Sequence, residues 1–273
     1  MMKLRKKEQH GFLSGFFKAR EYLFLSPDTQ SLIVQAETLD QWSGYIANGR
    51  YAKTIAKLND PKAFESALWE TYFNELKQAR NQIDEPYLTK YLTYFHSIIF
   101  SQKEIAFDLR AEKIFEERLA QWVDLSLQGT NFTKKLSSYA VDHFNLAEFI
   151  RSQFHQDTMP PYYAHGNLPK SSLKVLFDSQ FQHIPKDIIF SLWHPFVEKE
   201  KPAKKINFDL ILRLEYFWLD VMWNIFEEPL KEPYGIDYLL AYFLRFMLEI
   251  ETVKRHYFRL KYGLPVYWMK ERH

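Results

Sequence analysis

Apolar side chains recur every three or four residues between Tyr234 and Pro265, which is the clearest pattern in the chain. This spacing places them on one face of an α-helix. The stripe consists of Ile236, Leu239, Leu240, Phe243, Phe246, Met247, Ile250, Val253 and Tyr257. Asp237 suits the start of such a helix, and Gly263 and Pro265 would end it. We predict an amphipathic helix of about six turns.

Similar spacing covers most of the remaining chain, and no alternating pattern extends beyond four residues, so we predict an all-α fold. Ser26-Pro27-Asp28 is a capping sequence, with Leu32, Ile33 and Ala36 on the predicted buried face. Thr38 opens a second short helix. The longer predicted helices run from Asp60 to about Gln82, from Phe115 to Gln128, from Lys134 to Phe154 and from Phe208 to Phe226.

Other stretches interrupt the predicted helices. Met159 to Pro169 contains three prolines and a glycine without any period, and it is the strongest candidate for a linker. Glu198 to Lys205 is predicted to be a solvated, charged loop. Pro229 and Pro233 lead into the last helix. We expect one helical unit spanning 1–273, with subdomains at 12–115, 116–165 and 166–273.

The composition narrows the function classes. Apolar residues make up 47% of the 273 and aromatic residues 18%, which suits helices packed through bulky side chains. Lys and Arg number 36 against 34 Asp and Glu, so the chain as a whole makes no electrostatic case for nucleic acid. The absence of cysteine excludes disulfides, thiolate zinc sites and cysteine nucleophiles. Basic residues precede Phe12, but the apolar part that follows is broken by Ser14 and Gly15, and it is too short and too charged for an export signal.

Two separated stretches carry a recognisable set of residues. The C-terminal set is Leu239, Leu240, Ala241, Tyr242, Glu249, Ile250, Lys254, Gly263 and Leu264, and the N-terminal set is Leu25-Ser26, Ala36-Glu37-Thr38-Leu39 and Tyr51. Both resemble the C-subunit family of V-type ATPases, whose eukaryotic members are called d-subunits. Gly166-Asn167-Leu168 resembles the turn that the family places before a short helix. The chain looks like a divergent, shortened, bacterial-type member.

The resemblance implies an elongated or funnel-like array of packed helices in about three similar subdomains. It implies a non-catalytic component of the central stalk of a rotary V-type ATPase or ATP synthase. Such a component acts as a socket between the stalk and the membrane proteolipid ring, for proton or sodium transport. The expected partners are stalk subunits and the ring, at the cytoplasmic face of the membrane. No cofactor, metal, direct nucleotide or nucleic acid is expected.

Four residues of the last predicted helix are candidate structural or interface residues: Tyr242, Glu249, Lys254 and Arg255. Lys254 projects within the apolar stripe, so it must meet an acid or extend to water. Glu251 is one turn away, and Glu215 and Asp220 lie on the preceding predicted helix. One hypothesis is an ion pair that joins the last two helices; the alternative is a lysine at the edge of the stripe that reaches solvent.

Two other function classes remain open. The sequence has no phosphate-binding glycine loop and no H-E-x-x-H motif. A helical enzyme would therefore need an unrecognised site. Glu148 and His155 are two turns apart on one predicted helix, but such pairs are usually surface or capping residues rather than metal ligands. A helical RNA-binding or scaffold protein would be favoured if Arg255, Arg259 and Lys261 formed one basic patch.

Overall fold

The computed structural model describes residues 6–47, 49–82, 86–101, 109–153, 160–200 and 209–263. Across these ranges the chain forms twelve α-helices and two 3-10 helices and has no strand, so the all-α prediction is confirmed. The helices are α1 (Lys6–Lys18), α2 (Pro27–Gln35), α3 (Leu39–Ile46), α4 (Pro61–Gln82), α5 (Pro86–Ser101), α6 (Leu109–Leu127), α7 (Asn131–Ser152), α8 (Lys170–Asp178), α9 (Lys186–Ile189), α10 (His194–Glu200), α11 (Asp209–Lys231) and α12 (Gly235–Lys261). The 3-10 helices are Glu21–Leu23 and Ile55–Lys57.

The chain divides into two compact units. The first contains Met1–Thr93 and Glu228–His273, and the second contains Tyr94–Glu227. The first unit therefore joins both ends of the sequence, and the second is built from its middle. The candidate linker between Met159 and Pro169 lies inside the second unit. This division does not test the three predicted subdomains or the funnel-like shape, which stay predictions.

Helix α12 occupies the centre of the first unit. It contacts α1, α2, α3 and α4, and its apolar stripe is buried from Leu239 to Tyr257. Aromatic rings supply much of this packing. The ring centroid of Phe17 of α1 lies 4.8 Å from that of Tyr242, and the ring centroid of Phe64 of α4 lies 4.2 Å from that of Tyr257. Asp237 lies in the first turn of α12. Gly263, two residues after the helix, adopts a positive φ of 62° that suits glycine.

Part of the leader is a helix that the sequence reasoning missed. Residues of α1 follow the same three-and-four spacing as the longer helices, and Leu13 and Phe17 are buried in the first unit. The basic residues at the start obscured this spacing. Helix α1, which begins at Lys6, is therefore packed into the first unit through Leu13 and Phe17.

The predicted starts of α2 and α3 are confirmed by their caps. Ser26 Oγ accepts a hydrogen bond from the Thr29 amide, and Thr38 Oγ1 accepts one from the Gln41 amide. The predicted buried face of α2 was wrong at one position, because Leu32 is 42% exposed whereas Ile33 is fully buried. Adjacent helical residues point about 100° apart, so a short helix buries only one of the two.

Most residues of helix α7 between Phe132 and Ile150 are buried in the second unit. It begins at Asn131, three residues before the predicted start, because Thr130 Oγ1 caps it by accepting the Thr133 amide. The ring of His143 stacks on Trp218, with centroids 5.2 Å apart. His143 Nε2 lies 3.3 Å from Glu215 Oε1. Packing thus extends along nearly the whole length of α7.

Two predicted loops of the second half are partly helical. Glu198 to Glu200 belongs to α10, and Glu200 is buried because Arg213 donates to both of its carboxylate oxygens at 2.8 Å. Residues 201–205 of that predicted loop lie outside the described residues. Pro229 does not end α11, which continues to Lys231. The fixed φ of proline is compatible with a helix, but its nitrogen carries no hydrogen, so the helix lacks one backbone hydrogen bond there.

Candidate functional site

Glu249 is the centre of a buried polar cluster in the first unit. Only 2% of this residue is exposed, and each of its carboxylate oxygens accepts one hydrogen bond. The Leu25 amide donates to Oε2 at 2.7 Å, and the Tyr51 hydroxyl donates to Oε1 at 2.7 Å. One side chain of α12 therefore holds the segment before α2 and the segment after α3.

A second buried carboxylate, Glu75 of α4, lies in the same unit. The Tyr242 hydroxyl donates to Glu75 Oε2 at 3.0 Å and accepts from Arg50 Nη2 at 2.8 Å. Arg20 Nη2 donates to Glu75 Oε1 at 2.9 Å, and Arg50 Nη2 lies 3.4 Å from the same oxygen. Two guanidinium groups therefore balance the charge of Glu75 where water is excluded.

Arg50 is held by aromatic faces as well as by polar atoms. Its guanidinium carbon lies 3.8 Å from the ring centre of Phe246 and 4.4 Å from that of Phe24. Arg245 covers Phe24 at 4.3 Å. A planar cation between rings gains cation–π attraction that a lysine ammonium would not match in geometry. Arg50 thus links the polar cluster to the apolar core around α12.

Burial sets the protonation of this cluster. It raises the pKa of the Glu249 carboxyl above its usual range, while the Tyr51 hydroxyl, the Arg50 charge and the Leu25 amide oppose that shift. Burial likewise raises the pKa of Tyr51 and Tyr242. Both phenols therefore remain neutral donors at ordinary pH, which matches the hydrogen bonds that they make.

Lys254 lies near the other end of α12 and is paired with acids, as one hypothesis proposed. Its side chain is only 5% exposed and forms ion pairs with Glu251, one turn away, and with Glu65 of α4 at 3.0 Å. The alternative, a lysine reaching solvent, is wrong. The pair with Glu65 joins α12 to α4 within the first unit, whereas the hypothesis named a pair between the last two helices, which stays a prediction.

The basic residues at the end of α12 do not form the patch that RNA binding would need. Arg259 is buried, and its Nη2 donates to the carbonyl oxygen of Ala36. Arg255 Nε lies 3.8 Å from Glu251 Oε2. Leu264, Pro265 and the rest of the basic tail lie outside the described residues. Arg259 therefore has a structural role in holding the end of α2.

A separate polar cluster lies in the second unit, where Asp142 and Asn145 of α7 hold the segment 160–169. Asp142 is fully buried and accepts the Leu168 amide at 2.8 Å and the Asn167 side-chain amide at 2.9 Å. Asn145 donates to the Tyr163 carbonyl and accepts the Tyr163 amide. The part of the predicted linker that the structure describes is thus fixed to a helix.

Gly166 shows why this turn needs its residue types. A Cβ at this position would lie 2.5 Å from Asp142 Oδ1, closer than any real contact. The predicted short helix then follows as α8.

The candidate metal pair is only partly described. Glu148 forms an ion pair with Arg151, and His155 lies outside the described residues, as does Met159.

Both clusters hold segments of the chain together through hydrogen bonds. The oxygens of Glu249 and Asp142 are occupied by donors of the chain itself, and the described residues contain no group of three or more potential metal ligands. Sequence reasoning selected Tyr242, Glu249, Lys254 and Arg255 but missed Arg50, Glu75 and Asp142. The available signal was a charged residue at an otherwise apolar helical position, as at Glu75 and Asp142.

The fold and these clusters define a class: an all-helical protein whose two ends are bonded into one unit through buried carboxylates. Among the described residues, no helix combines the length and apolar character needed to cross a bilayer. Comparisons of the chain with protein-family models, with curated proteins and with solved structures gave no match.

Proposed function

We propose that this chain is a non-catalytic central-stalk component of a rotary V-type ATPase or ATP synthase, similar to the C-subunit family. It acts as a socket that receives the central stalk and passes its rotation to the membrane proteolipid ring, which moves protons or sodium ions. Its place is the cytoplasmic face of the membrane, within the complex. The observation that supports this proposal is a contact: the two stretches that resemble the C-subunit family meet at Glu249.

These stretches were recognised separately, and they are far apart in sequence. Glu249 of the C-terminal set accepts from Leu25 and Tyr51 of the N-terminal set, across separations of 224 and 198 residues. Arg259, which lies between Lys254 and Gly263 of the C-terminal set without being one of its members, donates to Ala36 of the N-terminal set across 223 residues. A chance likeness of scattered hydrophobic steps would give no reason for the same residues to bind each other, so this convergence supports the resemblance.

The construction of the first unit also suits the transfer of mechanical load. A body that carries torque must not shear between its segments, and directional buried hydrogen bonds resist sliding in a way that apolar contacts alone do not. The bonds of Glu249, Glu75 and Arg259 fix three different segments to α12 and α4. Close aromatic packing adds low compressibility around them.

The direct test is isolation of the chain with its partners. A tagged chain expressed in its native cells is purified from membranes solubilised in mild detergent, and the accompanying proteins are identified by mass spectrometry. We expect stoichiometric stalk subunits and the proteolipid. Recovery of the chain alone, or with an unrelated assembly, would contradict the proposal.

A functional test separates coupling from catalysis. Membrane vesicles from cells that lack the chain should keep ATP hydrolysis by the V-type head but lose ATP-driven ion uptake. The reason is that a missing socket disconnects rotation from the ring without touching the nucleotide sites. Re-expression of the chain should restore uptake. Unchanged uptake in its absence would exclude this role, and loss of ATP hydrolysis together with uptake would point to assembly instead of coupling.

A further inference from the structure

We propose that the side chain of Arg50 binds a small hydrogen-bond acceptor inside the first unit, either a halide ion or an enclosed water molecule. The site lies next to the contacts that Arg50 makes with Tyr242 and Glu75. It concerns the first unit alone and does not rest on the proposed function.

The Nε and Nη1 nitrogens of Arg50 carry the inference. Nη2 of the same guanidinium donates to the Tyr242 hydroxyl at 2.8 Å and lies 3.4 Å from Glu75 Oε1. Nε and Nη1 are buried, and no atom of the residues that the structure describes accepts a hydrogen bond from them. Because the Arg50 side chain is only 2% exposed, bulk solvent does not supply the missing acceptors either. The N–H groups on two sides of this cation therefore need a partner from outside the chain.

The rings around Arg50 do not satisfy these N–H groups. The ring centres of Phe246 and Phe24 lie 3.8 and 4.4 Å from the guanidinium carbon, and the rings attract the cation. They present carbon atoms, however, rather than the oxygen or anion that an N–H group needs for a hydrogen bond. Buried polar groups nearly always have a hydrogen-bond partner, and an unpaired donor is most costly when it carries charge. A bound ligand removes this cost.

The donors restrict the chemistry of the ligand. Guanidinium nitrogens donate and never accept, so the ligand must be an acceptor. The enclosure of Arg50 by two rings and two polar partners requires the ligand to be small. Arg20 supplies a further donor nearby, since its Nη2 binds the same Glu75 Oε1 at 2.9 Å and its buried Nε also meets no acceptor among the described residues.

The charges of the cluster suit an anion. Arg20 and Arg50 both approach Glu75, and the charges of Arg50 and Arg245 both act on Glu249. Three guanidinium groups thus meet two carboxylates, so one positive charge is in excess where the dielectric constant is low. A halide ion would balance this charge as well as accept the hydrogen bonds, whereas a water molecule would accept the bonds alone.

A crystal structure of the whole protein, grown with bromide in place of chloride, tests the site. Bromide scatters anomalously and so identifies a halide, whereas a bound water molecule gives electron density without that signal. We expect one of these two peaks within hydrogen-bond distance of Arg50 Nε or Nη1. Well-ordered density in which both nitrogens face only carbon atoms, or bond an oxygen of the protein itself, would overturn the proposal.

Two arginine variants show whether Arg50 holds the ligand. Arg50→Met should remove the peak, because methionine has no N–H donor. Arg213→Met is the matched control in the second unit, where Nε and Nη2 of Arg213 already donate to Glu200, and it should leave the peak in place. A peak that persists in Arg50→Met would mean that other groups bind the ligand, and the role of Arg50 would be excluded. If Arg50→Met does not fold, the wild-type crystal still decides.

Discussion

Single buried acceptors determine how firmly the first unit is held. Replacing Glu249 with alanine leaves the Leu25 amide and the Tyr51 hydroxyl without an acceptor. Each buried donor left unpaired costs about 1–3 kcal/mol, so we expect Glu249→Ala to lower the free energy of unfolding by about 4 kcal/mol. Urea titration followed by circular dichroism measures this loss.

Glu70 provides a matched control on α4, because its side chain is exposed. Glu70→Ala should change the free energy of unfolding by less than about 0.5 kcal/mol. Glu249→Gln should fall between the two, since an amide keeps one acceptor oxygen and presents a donor to the other partner. Equal effects of Glu249→Ala and Glu70→Ala would mean that the buried carboxylate does not stabilise the unit.

Replacing glycine with alanine should have opposite effects on stability at two positions of the chain. A methyl group at Gly166 would collide with Asp142 Oδ1, and the carboxylate cannot easily move because each of its oxygens accepts a hydrogen bond, so Gly166→Ala should cost about 1–3 kcal/mol. A methyl group at Gly44, inside α3, meets nothing within 4 Å, so Gly44→Ala should stabilise the protein by about 0.5–1 kcal/mol. Thermal unfolding of both variants checks the signs. Destabilisation by Gly44→Ala, or none by Gly166→Ala, would contradict the geometry.

Local sequence predicted some of these residues and not others. Lys254 and Glu251 are one helical turn apart, so their pairing follows from helical geometry alone. Arg50 and Glu75 became recognisable only in the fold, because Arg50 meets Tyr242 across 192 residues and Glu75 meets Arg20 across 55. A charged residue at an otherwise apolar helical position indicates that it needs a buried partner, but the sequence does not identify that partner.

At the scale of elements, the ion pairs of Lys254 join α12 to α4. Lys254→Met removes the cation next to Glu251, whose side chain is 4% exposed, so a buried carboxylate loses its main partner. We expect a loss of about 2 kcal/mol, below the usual cost of breaking a fully buried pair because Arg255 remains within 3.8 Å of the acid. Chemical denaturation of the variant gives this value.

A double-mutant cycle separates the two acids. Removing Glu65, which is 41% exposed, should show a coupling to Lys254 of no more than about 1 kcal/mol, because solvent screens the pair. Combining Lys254→Met with Glu251→Gln should recover part of the loss, since no uncompensated buried charge remains. If Lys254→Met leaves stability unchanged, the pair does not join the helices.

Helix positions were more predictable than helix ends. The periodic runs of α4 and α12 were located to within a few residues, because a long apolar stripe needs no knowledge of its partner. The helical segments that the sequence analysis missed depend on tertiary contacts. Glu200 is helical and buried because Arg213 binds it, and α1 has a buried face because α12 lies against it.

At the scale of the molecule, the two compact units do not simply follow one another along the sequence. The first unit is closed by a helix that comes more than 130 residues after Thr93, and the second unit is inserted between the two parts. Composition and periodicity carry no information about contacts over such separations, so they could not indicate that these two parts of the chain join. Residues of the two parts meet at Glu249, Tyr242 and Arg259.

This arrangement predicts the result of removing α12. In a chain that ends at Lys231, the helices α1 to α4 lose the surface that covers residues such as Phe17 and Phe64. Tyr51, Glu75 and Arg50 lose the hydrogen-bond partners that α12 supplies. We expect their amides to lose protection against hydrogen exchange by at least about 100-fold, because this burial and these bonds supply most of the unit's stability.

Helices α7 and α8 serve as the control in the same truncated chain. They belong to the second unit, whose residues end at Glu227, so their amides should keep most of their protection. Mass spectrometry of peptides from both units, in the full and the truncated chain, makes the comparison. Protection retained in α1 to α4 would show that the first unit holds together without its C-terminal helix. In that case the bonds of Glu249 could not be what joins its two parts, and the observation that carries the proposed function would lose its structural meaning.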